Sequence, residues 1–207
     1  MRIGSSVIAM KIVLIGAGGT LGTAVHSALT ARGHDVVTVG RSAGDLRLDF
    51  TEPEQVTELY ERVGRVDAVA CAAGSVPWRK ITEMTPQQYL DAFRGKVASQ
   101  VELVRQGVGR IAERGSFTLI TGVLTREPVV TGTAASLANG AVEAFVRAAA
   151  IEIAPQRVNA VSPTVFTESL AAYGNLFTGM EAVDVAKAAQ AYVRSVEGAQ
   201  TGQVYAL

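Results

Sequence analysis

The sequence predicts an α/β protein built on a doubly wound parallel sheet, and three observations carry that prediction. Short apolar runs rich in β-branched residues alternate with stretches of helical apolar spacing along the whole chain. The runs are apolar throughout, as strands covered on both faces must be. The first run leads through a glycine-rich turn straight into a helix. At roughly 100–200 residues per domain, 207 residues fit a single domain with a full core.

Each element follows in order. Lys11 to Ile15 is an apolar run ended by Gly16, after which Leu21, Ala24, Val25, Ala28 and Leu29 recur at helical spacing until Gly33. Asp35 to Val39 is a second strand. Thr51, Pro53 and Glu54 predict a capping box with proline in the first turn, and Val56, Leu59, Tyr60 and Val63 share one face up to Gly64. Val66 to Ala70 reads as a strand. Thr85, Pro86 and Gln88 cap a long helix carrying Tyr89, Phe93, Val97, Val101 and Val104, followed by a strand over Phe117 to Ile120. The second half repeats the rhythm, with a helix near Ala134 to Ala154 stopped by Pro155, a strand Val158 to Val161, a helix near Ala182 to Val196 and a short strand Gln203 to Ala206. Residues 1–9 read as a loose N-terminal extension and 10–207 as one dinucleotide-binding domain.

Composition narrows the function classes. Nineteen Lys plus Arg balance nineteen Asp plus Glu, so no bulk positive field draws in nucleic acid or anionic lipid. One cysteine, Cys71, forms no internal disulfide, and with two histidines, His26 and His34, it cannot complete a four-ligand zinc site, so no metal is expected. Lys11 and the glycine turn interrupt what would otherwise look like a signal peptide. These features point to a cytoplasmic protein with no membrane span.

In a doubly wound sheet the ligand lies beyond the carboxyl ends of the strands. The turn Gly16-Ala17-Gly18-Gly19-Thr20-Leu21-Gly22 follows a strand and opens a helix, with Gly16, Gly19 and Gly22 permitting close approach of backbone N–H groups to a diphosphate. A NAD site would place an acid at the end of the second strand; here Arg41 and Ser42 stand there instead. A guanidinium matches a 2′-phosphate, so NADP (NADPH) is the expected cofactor, although a solvated loop arginine would look the same. Asp49, beside Phe50, is a candidate acceptor for the adenine amino group with a backbone N–H serving the ring nitrogen, or an N-cap for the next helix.

Together with Cys71-Ala72-Ala73-Gly74 and Asn159-Ala160-Val161-Ser162-Pro163, the pattern resembles the short-chain dehydrogenase/reductase family over almost the whole chain from Met10. The resemblance implies a Rossmann-type fold, an NAD(P)-linked oxidoreductase acting on a small carbonyl or alcohol, and a homodimer or dimer of dimers. Ala72, Ala73 and Gly74 look like the family's Asn-Asn-Ala-Gly segment beside the adenosine ribose. Ser162, Pro163 and Thr164 look like its Pro-Gly segment beside the nicotinamide carboxamide, and with Val165 next to them Pro163 and Thr164 are the cofactor-binding residues the resemblance implies there.

The catalytic part departs from that pattern. Anchoring the helix on Ala141 to Phe145 puts Ala135 where the family carries tyrosine and Asn139 where it carries lysine, and neither side chain titrates. Gly122 occupies the serine position. Two polar candidates remain: Thr121, to donate a hydrogen bond to a carbonyl, and Lys96, to hold the nicotinamide ribose or supply a proton. A strand-end threonine and a solvated helix lysine are the plainer readings of both. Ser136 and Asn139 are weaker alternatives. Phe166, Tyr173 and Phe177 form a short segment able to close over a planar substrate or to pack on the sheet edge, and Trp78 and Arg79 share that rim. A helix apolar on nearly every side, with Val142, Phe145, Val146, Ala149, Ile151 and Ile153, predicts a four-helix dimer contact or full burial in a monomer. The same scaffold would also suit a non-redox isomerase, cyclase or dehydratase, or a non-catalytic NADP(H) sensor.

Overall fold

A computed structural model describes residues 8–207, so the segment preceding Ile8, with most of the expected extension, lies outside the described residues. Seven parallel strands form one sheet: β1 (Lys11–Ile15), β2 (Asp35–Gly40), β3 (Leu46–Arg47), β4 (Val66–Cys71), β5 (Ile111–Ile120), β6 (Arg157–Ser162) and β7 (Val204–Ala206), in the order β3-β2-β1-β4-β5-β6-β7. The expected doubly wound sheet is therefore present. Ile12, Val13, Leu14 and Ile15 are all buried, the pattern a strand takes when helices cover both faces.

The helices are α1 (Thr20–Thr30), α2 (Pro53–Val63), α3 (Pro86–Ala92), α4 (Ser99–Gly107), α5 (Thr133–Glu152), α6 (Leu170–Tyr173) and α7 (Val185–Glu197). α1 packs against α7 on one face, and α4 packs against α2 and α5 on the other. The chain winds outward from β1 through β2 to β3, then returns to β4 and winds the other way. The split between β1 and β4 is thus the switch point at which their carboxyl ends diverge.

Local chemistry explains where the elements differ from expectation. α2 starts at Pro53 with Glu52 as its uncapped N-cap, so the capping box expected from Thr51 and Glu54 is absent. Asp49 accounts for this: its Oδ1 accepts from Thr51 N–H at 3.0 Å and Thr51 Oγ1 at 2.8 Å, tying the threonine into the turn. Thr85 does form its reciprocal cap with Gln88. The long helix it opens is not uniform, because Phe93–Ala98 widens into a π-helical stretch between α3 and α4. β5 starts earlier than its apolar run, at Ile111, and shifts register against β4 between Val66 and Ala68. Gly115 is required near this shift: a Cβ there would stand 2.7 Å from the Asp67 carbonyl oxygen. The last helix begins at Val185 rather than near Ala182, because 182–184 is held off by the bridge between Phe166 and Val183.

A second, small apolar cluster lies apart from the main core. Val123, Leu124, Ala135, Val165 and Phe177 pack together there, so the segment after β6 packs on its own floor beside the β5 and β6 ends.

Candidate functional site

Two cavities meet at the switch point and share Ala72, Ala73, Gly74 and Ser75, the turn after β4. The outer cavity, about 500 Å³, contains Gly16, Gly18, Gly19, Arg41, Ser42, Asp49 and Phe50 on its wall. The inner one, about 380 Å³, contains Leu21, Lys96, Thr121, Asn139, Pro163, Thr164 and Val165. Apart from Thr20, Gly22, Ser136 and Arg79, the residues expected at the site thus line one of the two halves.

Thr20 and Gly22 act through the backbone. Gly16 takes a φ of +82°, a conformation glycine adopts without strain, and a Cβ on Gly22 would fall 2.0 Å from the Gly16 carbonyl oxygen. This contact seats the helix start against the turn. Among the described residues the N–H groups of Thr20, Leu21 and Gly22 have no acceptor, α1 lacks a side-chain cap, and its first turn holds no acid. A Cβ on Gly18 would meet nothing within 4 Å. Free donors, the positive end of a helix dipole and an open glycine shelf fit a diphosphate.

At the outer end Arg41 is exposed and forms no ion pair among the described residues. The nearby acid Asp45 is occupied, its Oδ2 accepting from Thr38 N–H at 2.8 Å and Thr38 Oγ1 at 2.7 Å. Those hydrogen bonds hold its carboxyl below the usual range. Asp49 is the acid lining this cavity among the described residues. Burial opposes its charge, but hydrogen bonds from Thr51 and the positive charges of Arg41 and Arg94 win, so its pKa is lowered. Its own N–H donates to Gln55 Oε1 at 2.8 Å, so the backbone N–H expected to serve the adenine ring is not that of Asp49.

The inner end is built on the π-helical stretch. Gly95 lies against the β4 turn, accepting from Ser75 N–H at 3.2 Å, and a Cβ on it would meet the Ser75 carbonyl oxygen at 2.8 Å. The Lys96 stem runs past Gly74, where an added Cβ would be 3.1 Å from Lys96 Cγ. Gln100, fully buried, holds this segment to the sheet: its Nε2 donates to the Lys96 and Ile120 carbonyls at 3.0 Å each, and its Oε1 accepts from Ile120 N–H at 2.8 Å. A π-turn breaks the regular ladder, and one amide here recovers the exposed carbonyl while fixing the lysine. The Lys96 amine has no hydrogen-bond partner among the described residues. Burial lowers its pKa to about 8, against weaker opposing effects from Cys71 and Glu143.

Thr121 reaches the inner cavity, but not in the expected role. Its hydroxyl donates to Glu143 Oε1 at 3.0 Å, and a hydroxyl has one proton to give, so it is not a free donor for a substrate carbonyl. Thr125 and Ser162 donate to the same oxygen at 3.1 Å each, and Arg126 in turn donates to Ser162 Oγ at 2.7 Å. Residue spacing alone does not reveal this network; its signal is Glu143, an acid among Ala141, Val142, Ala144 and Phe145. Replacing Glu143 with leucine removes the shared acceptor of three hydroxyls, of which Thr121 and Thr125 keep only long contacts to the Val161 and Gly122 carbonyls at 3.4 Å, and is expected to lower the urea-unfolding stability by about 2–4 kcal/mol, whereas Glu143→Gln, which keeps an acceptor, costs about 1 kcal/mol.

Ala135 and Asn139 both line the inner cavity from the first turns of α5, while Ser136 does not. Trp78, Tyr173 and Phe177 also line it and touch one another, with ring centroids 5.1–6.4 Å apart. Arg79 is exposed and outside this lining. The thiol of Cys71 lies fully buried behind the turn, and burial pushes it up to about 12, so it takes no part in chemistry here.

A family model described as enoyl-(acyl carrier protein) reductase matches residues 11–207. The protein lin1944 from Listeria innocua, of known crystal structure, is 44% identical and superposes with a TM-score of 0.94, covering 96% of this chain and 100% of that one. A small-chain dehydrogenase crystallised with NADPH is 25% identical with a TM-score of 0.86, covering 97% of each chain. Versicolorin reductase stcU of Emericella nidulans is 29% identical over 74% of this chain and 68% of its own length. L-xylulose reductase of Bos taurus is 26% identical over 75% of this chain and 71% of its own length. The matching of this sheet, this turn and nearly the full chain length places the protein in the short-chain dehydrogenase/reductase family of oxidoreductases.

Proposed function

We propose that the chain binds NADP(H) across the paired cavities and reduces a small carbonyl compound, or oxidises the corresponding alcohol, with an atypical proton donor. The observation that carries this reading is the pair of adjoining cavities, one holding Arg41 and the other Lys96, that share the turn after β4 at the switch point. Unpaired N–H groups of Thr20, Leu21 and Gly22 hold the diphosphate, Arg41 and Ser42 take the 2′-phosphate, and Asp49 and Phe50 flank the adenine. Ala72, Ala73 and Gly74 border the ribose, and Pro163, Thr164 and Val165 border the nicotinamide. A relative crystallised with NADPH is consistent with that assignment.

Bound NADPH supplies a hydride to the carbonyl carbon. Lys96 supplies the proton to the carbonyl oxygen, taking the place of the family's tyrosine, while Ala135 and Asn139 stand where the tyrosine and lysine are usual. Thr121, held by Glu143, shapes the floor and donates nothing to substrate. The mature protein works in the cytoplasm as a homodimer or dimer of dimers, for which the exposed Leu90, Phe93, Leu137 and Ile151 on the α3 and α5 side supply an apolar face.

Arg41→Ala tests the cofactor half. It is expected to weaken NADPH binding about tenfold to a hundredfold and leave NADH binding unchanged, as read by isothermal titration. Equal losses for both dinucleotides would remove Arg41 from the 2′-phosphate. The pair Ala135 and Asn139 favours one further reading, in which the dinucleotide is bound but not turned over, as in a sensor or a non-redox enzyme. Tight NADPH binding with no oxidation of NADPH over a panel of ketones, quinones and sugars would support that reading instead.

A further inference from the structure

The inner cavity holds one unbalanced charge. Lys96 is the single charged residue of its lining, and no acid stands beside it there. The amine has no hydrogen-bond partner and enters no ion pair among the described residues. Nor is it one of the unpartnered side-chain atoms closed off from the surface, so it is open to whatever enters. Glu143, whose charge acts on the lysine, stands behind Thr121 outside the lining, with three hydroxyls donating to it. An ammonium kept in a partly buried site without a counterion is costly, and a bound anion removes that cost.

The rest of the cavity narrows the anion. A volume of about 380 Å³ that also admits the nicotinamide end of a dinucleotide leaves room only for a small second occupant. Trp78, Tyr173 and Phe177 line it with ring centroids 5.1–6.4 Å apart, a surface for an apolar tail. One ammonium neutralises one charge. A phosphate dianion would keep a second charge uncompensated in a lining with no other cation, whereas a carboxylate is matched. Lys96 has also to reach the carbonyl oxygen that it protonates in the reading above. Its three donors allow both tasks when carbonyl and carboxylate sit on adjacent carbons, because their oxygens then lie side by side.

We propose that the inner cavity takes small 2-oxo acids, whose carboxylate and carbonyl oxygens share the Lys96 ammonium while an apolar tail lies against Trp78, Tyr173 and Phe177. Reduction of such an acid places a hydride from NADPH on the carbonyl carbon and the ammonium proton on its oxygen. The products are a 2-hydroxy acid, NADP+ and a neutral amine that regains its proton from water. As a statement about turnover this rests on the reductase reading above; as a statement about binding it does not.

The probe is 4-methyl-2-oxopentanoate, titrated calorimetrically at neutral pH with and without NADP+, neither of which permits turnover. It is expected to bind about tenfold or more tighter than its methyl ester, which has lost the charge, and about threefold or more tighter than 4-methylpentanoate, which lacks the carbonyl. Trp78 is the single tryptophan, so a saturable change in its emission places the acid in this cavity. Lys96→Met is expected to bring the acid down to the affinity of the ester. Equal affinities for the acid and its ester in the wild-type protein, or no saturable binding of the acid, would overturn the inference, and that comparison decides even if the variant does not fold. A preference kept by the folded variant would overturn it too, and equal affinities for the two carboxylates would remove the oxo acids as its class. Oxidation of NADPH by neutral ketones with no preference for the acid defeats this inference alone. Preferential binding of the acid with no oxidation of NADPH upholds the binding claim and defeats the reductase reading.

Discussion

Lys96→Met is expected to lower the rate of carbonyl reduction at least about a hundredfold while leaving NADPH affinity within about twofold, because in the proposed mechanism the lost group serves the proton and not the dinucleotide. The pH profile sharpens the test. A reducing turnover needs the ammonium form, so the wild-type rate holds below the lysine's pKa and falls as pH rises through about 8. Alcohol oxidation needs the neutral amine and shows the opposite limb. Residual activity of the methionine variant should lack that inflection. A variant that retained both the rate and the limb would take Lys96 out of the chemistry.

The same lysine makes a prediction for stability, with the opposite sign to that for activity. Its folded pKa lies below its ordinary value of 10.5, so between about 8 and 10.5 the unfolded chain holds more protons and stability rises with pH. Below about 8 the cost of keeping the charge in a partly buried site is fully present. The methionine variant escapes it and should melt higher than wild type near neutrality, by on the order of 1–3 kcal/mol, with the gap closing as pH climbs through that window. The trade of stability for a reactive group is the usual signature of a working site.

Much of the fold was legible because its signals are local. β-branched runs, a glycine turn and the Thr85 cap each state their own conformation, and the parallel sheet follows from their alternation. The outer half of the site was legible for the same reason, since Gly16 to Gly22 and Arg41 each sit next to the strand that delivers them. The inner half was not. What Thr121 does depends on Glu143, 22 positions away, and what Lys96 does depends on Gln100 and Gly74. Spacing cannot reveal a π-turn, because Phe93, Val97 and Val101 keep helical periodicity on either side of it. Nor does a sequence show which polar atom is left without a partner: the Lys96 amine is seen to lack one only once its surroundings are in place.

Gly22→Ala is expected to remove NADPH binding at saturating concentration and to lower stability by about 2–4 kcal/mol, or roughly 5–15 °C in melting temperature. The added methyl would lie 2.0 Å from the Gly16 carbonyl oxygen and 2.8 Å from Ala17 Cα, both backbone atoms that no rotamer change can move aside. Either the start of α1 must lift from the turn, or Gly16 must leave the φ of +82° that lets the chain double back beside Ala73. In both cases the N–H groups of Thr20, Leu21 and Gly22 cease to converge. Gly18→Ala is the matched control: its Cβ meets nothing within 4 Å in the protein, so the fold should keep its melting temperature while the methyl intrudes only on whatever occupies the shelf. Loss of NADPH binding in Gly18→Ala with an unchanged melting temperature would locate the diphosphate on that shelf. Undiminished binding in both variants would mean that the dinucleotide, if it binds at all, lies elsewhere.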